Sequence, residues 1–135
     1  MSSAGIRWGR ILLYGFLAEL LVLLLLGVVA WARDLETAQY LTTVGSFIGA
    51  LVFGNLAARR ATERKVLNGV LVGAAAVGIY LALGWIGRIV AWMMNAAVPE
   101  QPAWQANVYL VAHVLKLAGG WLGGFFAERS SRQSP

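Results

Sequence analysis

The stretch ILLYGFLAELLVLLLLGVVAWA, residues 11–32, carries one ionisable side chain, Glu19, in an otherwise uncharged run. Its length matches the ~20 residues a helix needs to cross a ~30 Å hydrocarbon layer. In such a layer the backbone finds hydrogen-bond partners only within a helix or a closed barrel. The run is continuously apolar rather than alternating, which excludes a barrel strand. Three similar runs follow, at 38–58, 66–86 and 104–126. The expected fold is therefore all-α: an integral membrane four-helix bundle with glycine-rich helix interfaces.

Composition agrees. Hydrophobic residues make up 59% of the chain and charged residues 13%, where soluble domains average about 25% charged. The 135 residues leave room for a single transmembrane domain, 1–135, and no separate soluble one. There is no cysteine, so disulfides, thiol chemistry and cysteine metal sites are excluded. His113 stands alone and makes no histidine metal cluster. No cofactor is expected.

A net charge of +5 raises the question of nucleic acid, and the placement of the charges answers it. Arg7 and Arg10 precede the first run; Arg59, Arg60, Arg64 and Lys65 lie between the second and third; Arg129 and Arg132 follow the fourth. The opposite links hold Arg33 with Asp34 and Glu36, then Arg88 and Glu100. The positive-inside rule puts the basic side in the cytoplasm and both termini with it, N-in and C-in, in a bacterial inner membrane. The lipid bilayer, not nucleic acid, is the expected partner. Glu19 and the length of the first run argue for a retained helix rather than a cleaved signal peptide. Trp8, Trp31, Trp85, Trp92, Trp104 and Trp121 fall near the ends of the runs, as interfacial anchors do.

The links carry further expectations. The short link 33–37 makes the first two spans an antiparallel hairpin. The link 59–65 reads as continuing helix. The third run stays apolar beyond 86, which would give a helix longer than the membrane. Gly84 and Gly87 offer a kink, so 88–102 is expected to form an outer-surface segment and turn.

Small residues mark the packing faces. Gly45 and Gly49 make one GxxxG, with Gly54 beyond; Gly69 and Gly73 make another; Gly119, Gly120, Gly123 and Gly124 make two that overlap. Membrane helices associate through such residues because they let backbones approach. The spacing fits packing within one chain or a homodimer face. GALVFGNLAAR at 49–59 and GGWLGGFFAER at 119–129 fit a parallel internal repeat or chance likeness between glycine-rich spans.

Two ionisable residues lie deep in the spans, Glu19 and Lys116. Counting helical rise from the basic side places them at similar depth, ~13 and ~15 Å. An isolated charge at the helix centre costs ~2.5–3.5 kcal/mol on insertion scales, so the two are expected to face each other. Such a pair is either structural or the core of a proton- or substrate-coupled site. His113 lies one turn from Lys116 on the same face, placed for a relay or for a plain interhelical hydrogen bond. Tyr80 is mid-span and within reach as a donor to Glu19. Asn55, Asn68, Asn95 and Asn107 lie near helix ends, where capping or interface contacts account for them. No nucleotide loop, zinc motif or nucleophile triad is present, so no enzymatic activity is expected.

The stretch 46–80, SFIGALVFGNLAARRATERKVLNGVLVGAAAVGIY, resembles the central portion of small four-span bacterial membrane proteins of the YrzE-like type. It shares their glycine-rich span, arginine pair, basic link and second glycine-rich span, and GGWLGGFFAER fits their last helix. That resemblance implies a four-span fold and no assigned activity. Leu17, Ala18 and Glu19 are similar to the segment around the carboxylate of small multidrug-resistance-type exporters. That likeness implies a dimer exchanging protons for cationic drugs at Glu19; Lys116 and the longer outer link depart from the pattern. The reading favoured by the sequence is a non-catalytic membrane protein acting by helix packing, as a homo-oligomer or an accessory or scaffold subunit of a larger membrane complex. The alternative is a small proton-coupled transporter or channel using Glu19, Lys116 and His113.

Overall fold

A computed structural model describes residues 6–97 and 103–132. They form four helices: α1 (Trp8–Ala32), α2 (Leu35–Arg59), α3 (Lys65–Met93) and α4 (Ala103–Arg132), with no strand among the described residues. All four are long and apolar enough to cross a membrane.

The connections follow from local chemistry. At the start of α2, Asp34 is extended and its carboxylate accepts from the Thr37 N–H at 2.7 Å and the Thr37 hydroxyl at 2.8 Å. This satisfies a donor that the first turn of a helix leaves free. The link 59–65, expected to stay helical, does not. α2 ends at Arg59, and Arg64 adopts a left-handed conformation (φ 51°) before α3 begins. A helical link would carry the chain away from the bundle, whereas a short non-helical one returns it antiparallel. Asn68 secures that turn by donating to Arg64 O at 3.1 Å, and Arg10 of α1 donates to Arg60 O at 3.1 Å.

α3 also departs from expectation. It runs unbroken through Gly84 and Gly87 to Met93, so 88–93 belongs to the helix rather than to a separate surface segment. A glycine inside a helix costs ~1 kcal/mol relative to alanine, which weakens the helix without ending it. At 29 residues it reaches ~43 Å. Asn95, with φ 51°, follows its end, and the turn at 98–102 lies outside the described residues.

The bundle is a rhombus in cross-section. α2 and α3 touch along the short diagonal, and each also packs on both α1 and α4. Among the described residues, no Cα of α1 comes within 8 Å of one in α4. The most extensive contact is between α2 and α4, which run parallel. The two stretches that suggested an internal repeat therefore lie side by side.

Glycine makes these contacts close. A methyl at Gly119 would strike Phe47 O, and one at Gly123 would strike Leu51 O, both on α2. Gly120 and Gly124, one position on, turn instead to α3: Gly120 abuts Gly69, and a methyl at Gly124 would stand 2.7 Å from Val66 Cα. Gly73 lies against the backbone of Lys116 and Leu117, and Gly54 against Gly120. Gly49 faces Ala18 of α1 and Gly45 faces Leu25. The glycines picked out in the sequence thus meet other helices of the same chain. The sequence reading missed Gly15, where a methyl would stand 2.7 Å from Ala75 Cβ.

Packing is uneven along the axis. Near the basic end the helices are in glycine-mediated contact, and Asn55 of α2 donates to Gly123 O of α4 at 2.9 Å. Toward the Asp34 end the bundle loosens: every residue from 81 to 90 of α3 is exposed. Gly78, Gly84 and Gly87 have open space where a side chain would stand.

Candidate functional site

Glu19 and Lys116 meet, as their matched depth foretold. Lys116 Nζ donates to Glu19 Oε2 at 2.6 Å, with the side chains 3% and 1% exposed respectively. The pair joins α1 to α4, the two helices without backbone contact, so it crosses the long diagonal through the interior. Both groups are removed from solvent, and each is the other's compensation. Removing one would strand a buried charge, a change that typically costs 3–5 kcal/mol.

Tyr80 of α3 meets the pair with its ring rather than its hydroxyl. Lys116 Nζ stands 5.0 Å from the ring centroid, within cation–π range. His113 packs its ring edgewise on Tyr80 at 4.9 Å between centroids, and Tyr109 lies at 5.7 Å from Tyr80 on another side. The hydroxyl of Tyr109 accepts from Gln39 Nε2 of α2 at 3.3 Å. All four helices therefore contribute to one polar cluster.

The cluster surrounds a cavity of about 40 Å³. Its walls run along α1 from Glu19 to Leu26, along α2 from Ser46 back to Gln39, and along α4 from Lys116 back to Val108. Three of the lining residues each carry a buried polar atom without a hydrogen-bond partner: Glu19 Oε1, Gln39 Oε1 and His113 Nδ1. A buried polar atom left unsatisfied costs ~1–3 kcal/mol.

Sequence reasoning named Glu19, Lys116, His113 and Tyr80, and the structure brings all four together. It missed Gln39, Thr42, Thr43 and Tyr109. A signal for the α2 wall was present: Gln39, Thr42, Thr43 and Ser46 follow the spacing of one helix face and form a polar stripe in an apolar span. Among the described residues no group of three or more His, Cys, Asp or Glu side chains is placed to hold a metal ion.

Outside the spans, Asp34 has a lowered carboxyl pKa. The Thr37 backbone N–H is the main cause and the Thr37 hydroxyl adds to it.

Comparison with known proteins returns no matching family model, no matching curated protein and no matching solved structure.

Proposed function

We propose that this chain is a small multi-pass membrane protein that handles protons, or a small polar solute coupled to them, at the buried Glu19/Lys116 site. The observation that carries this reading is the cavity beside the pair, three of whose lining residues hold an unpartnered buried polar atom. A pair serving only to hold helices together needs no cavity and no unsatisfied neighbours. Intramembrane ionisable groups facing a cavity typically mark ion and substrate pathways. Glu19 supplies the carboxylate, Lys116 is its counter-ion, and His113 and the two tyrosines supply further proton-carrying groups within the cluster. The charge asymmetry between the two ends supports a cytoplasmic basic end in an inner membrane.

The test is proton flux in sealed vesicles carrying the purified protein and an enclosed pH-sensitive dye. An imposed pH gradient should collapse faster with the protein than without it, and Glu19→Gln should abolish the difference while the protein still assembles. Equal collapse with and without protein would overturn the reading.

A second reading, a homo-oligomer or an accessory subunit, draws on the Asp34-end half of α3. There Leu83, Trp85, Ile86, Ile89 and Trp92 are exposed, beside glycines with nothing against them. Native mass spectrometry of the gently extracted protein tests it, a lone chain counting against it.

A further inference from the structure

We infer that the Glu19/Lys116 pair forms the floor of a blind, water-filled vestibule entered only from the Asp34 end of the bundle. This deepens the proposed function by naming the guest and its entrance.

From the ion pair, every wall of the cavity extends the same way. On α1 it runs from Glu19 forward to Leu26, and on the oppositely directed α2 and α4 it runs backward to Gln39 and Val108. All three lead toward the end that carries Arg33 and Asp34. Glu19 and Lys116 each lie 13 residues from their helix ends on that side, Ala32 and Ala103, a depth of ~20 Å.

The floor is closed by backbone. Gly73 sits against the main chain of Lys116 itself and Gly49 against Ala18, next to Glu19. One turn further toward the basic end, Gly120 abuts Gly69, with Gly54 beside it. Val72, at 0% exposure, fills the space below. Main-chain contact of this kind closes the seams between these helices below the pair. The opposite side has no such seal, because α3 beyond Tyr80 presents ten consecutive exposed residues, 81–90.

Size and chemistry define the guest. A water requires ~10–15 Å³ of room for its centre, so a cavity of about 40 Å³ takes a cluster of roughly three. The unpartnered atoms are a carboxylate oxygen, an amide oxygen and an imidazole nitrogen. Each oxygen lacks a donor, which a protic guest reaching it would supply. The Lys116 ammonium already occupies the cationic position between Glu19 and the Tyr80 ring, which disfavours a second cation there. The guest class is therefore a small neutral protic molecule, with water as its first member.

The absence of cysteine makes the chain a clean background for single-thiol variants. Silver ion is the probe, being close to water in size and reactive with thiolate, which forms in water and not in hydrocarbon. Thr42→Cys and Ser46→Cys place a thiol in the vestibule wall, and Val72→Cys places one below the floor. Glu36→Cys and Ser130→Cys report on the two ends. Each variant is treated with silver nitrate in sealed vesicles from one side, then unfolded, and its remaining thiol is counted with a maleimide. Thr42→Cys and Ser46→Cys should react from the side that reaches Glu36→Cys. Val72→Cys should resist from both sides, at least about tenfold more slowly, as expected for a thiol kept from ionising. Inert thiols at both 42 and 46, in the Lys116→Met background as well, where no ammonium repels silver, would show a dry cavity, and reaction from the side that reaches Ser130→Cys would show an open floor; either overturns the inference. A wet, one-sided vestibule in a protein without proton flux would sink the proposed transport and leave the vestibule standing.

Discussion

Glu19 of α1 and Lys116 of α4 bond at 2.6 Å across the long diagonal of the bundle, between two helices with no backbone contact. The diagonal position explains why the pair is so well buried: α2 and α3 close over it from both sides. It also means that α1 and α4 are coupled through this bond and through their shared neighbours. A change in the charge of Glu19 therefore acts on the one hydrogen-bonded ion pair between them among the described residues.

That tie leads to a stability prediction. Glu19→Gln and Lys116→Met should each destabilise the protein by about 3–5 kcal/mol, since each leaves the partner buried and uncompensated. The double variant should cost clearly less than the sum of the two. The exchange Glu19→Lys with Lys116→Glu should recover much of the loss. Denaturant unfolding in mild detergent measures all four, and additive single effects would show that the pair is not coupled.

The glycines divide into two classes with opposite expected effects. Gly120→Ala drives a methyl into the Gly69 carbonyl and should destabilise by about 1–3 kcal/mol through overpacking. Gly84→Ala and Gly87→Ala meet open space and should stabilise α3 by up to about 1 kcal/mol, the helix-propensity gain of alanine over glycine. Thermal unfolding of the three variants decides, and equal behaviour would remove the distinction.

The Tyr80 ring, not its hydroxyl, faces Lys116. Tyr80→Phe should therefore keep most of the contact, while Tyr80→Leu should lose about 0.5–2 kcal/mol, the range of a cation–π contact from exposed to desolvated. The same unfolding assay applies, and a Phe variant as impaired as Leu would assign the role to the hydroxyl.

At the opposite end of α2 the prediction is one of pH. The folded-state pKa of Asp34 lies below its ordinary value because Thr37 donates to the carboxylate. The capping contribution is thus fully present above the ordinary aspartate range and is lost as pH falls through the lowered folded value. Amide exchange at Thr37, corrected for its intrinsic pH dependence, should stay slow through neutral and mildly acidic pH and lose protection only in strong acid. Asp34→Ala should lose it at every pH, and Asp34→Asn should keep it without the acid transition.

Much of the site was legible because membrane burial makes charge conspicuous. Two ionisable side chains in long apolar runs, at matched depth, pointed to each other before any coordinates. The α2 wall was harder to see. Gln39, Thr42 and Thr43 carry no formal charge, and hydroxyls that bond their own helix, as Thr42 and Thr43 do to Gln39 O at 3.0 and 2.8 Å, are ordinary in apolar spans. The non-helical link before α3 was missed because Arg64 gives no sequence sign of a left-handed conformation. The continuous outer half of α3 was missed because Gly84 and Gly87 were given more weight as helix breakers than their energetic cost supports.

Four long apolar helices, the basic and acidic ends, the glycine positions available for close approach, and one carboxylate and one ammonium within the spans are all written in the order of residues. Those follow from hydropathy, charge and helical periodicity, which are local. Packing in three dimensions settles which glycine meets which helix, that α1 and α4 stand on the long diagonal, and that a small cavity lies on one side of the pair. These depend on how four helices share space. In overlapping glycine motifs such as 119–124, adjacent positions serve different neighbours, so helix order around the bundle is set by the joint packing of all four.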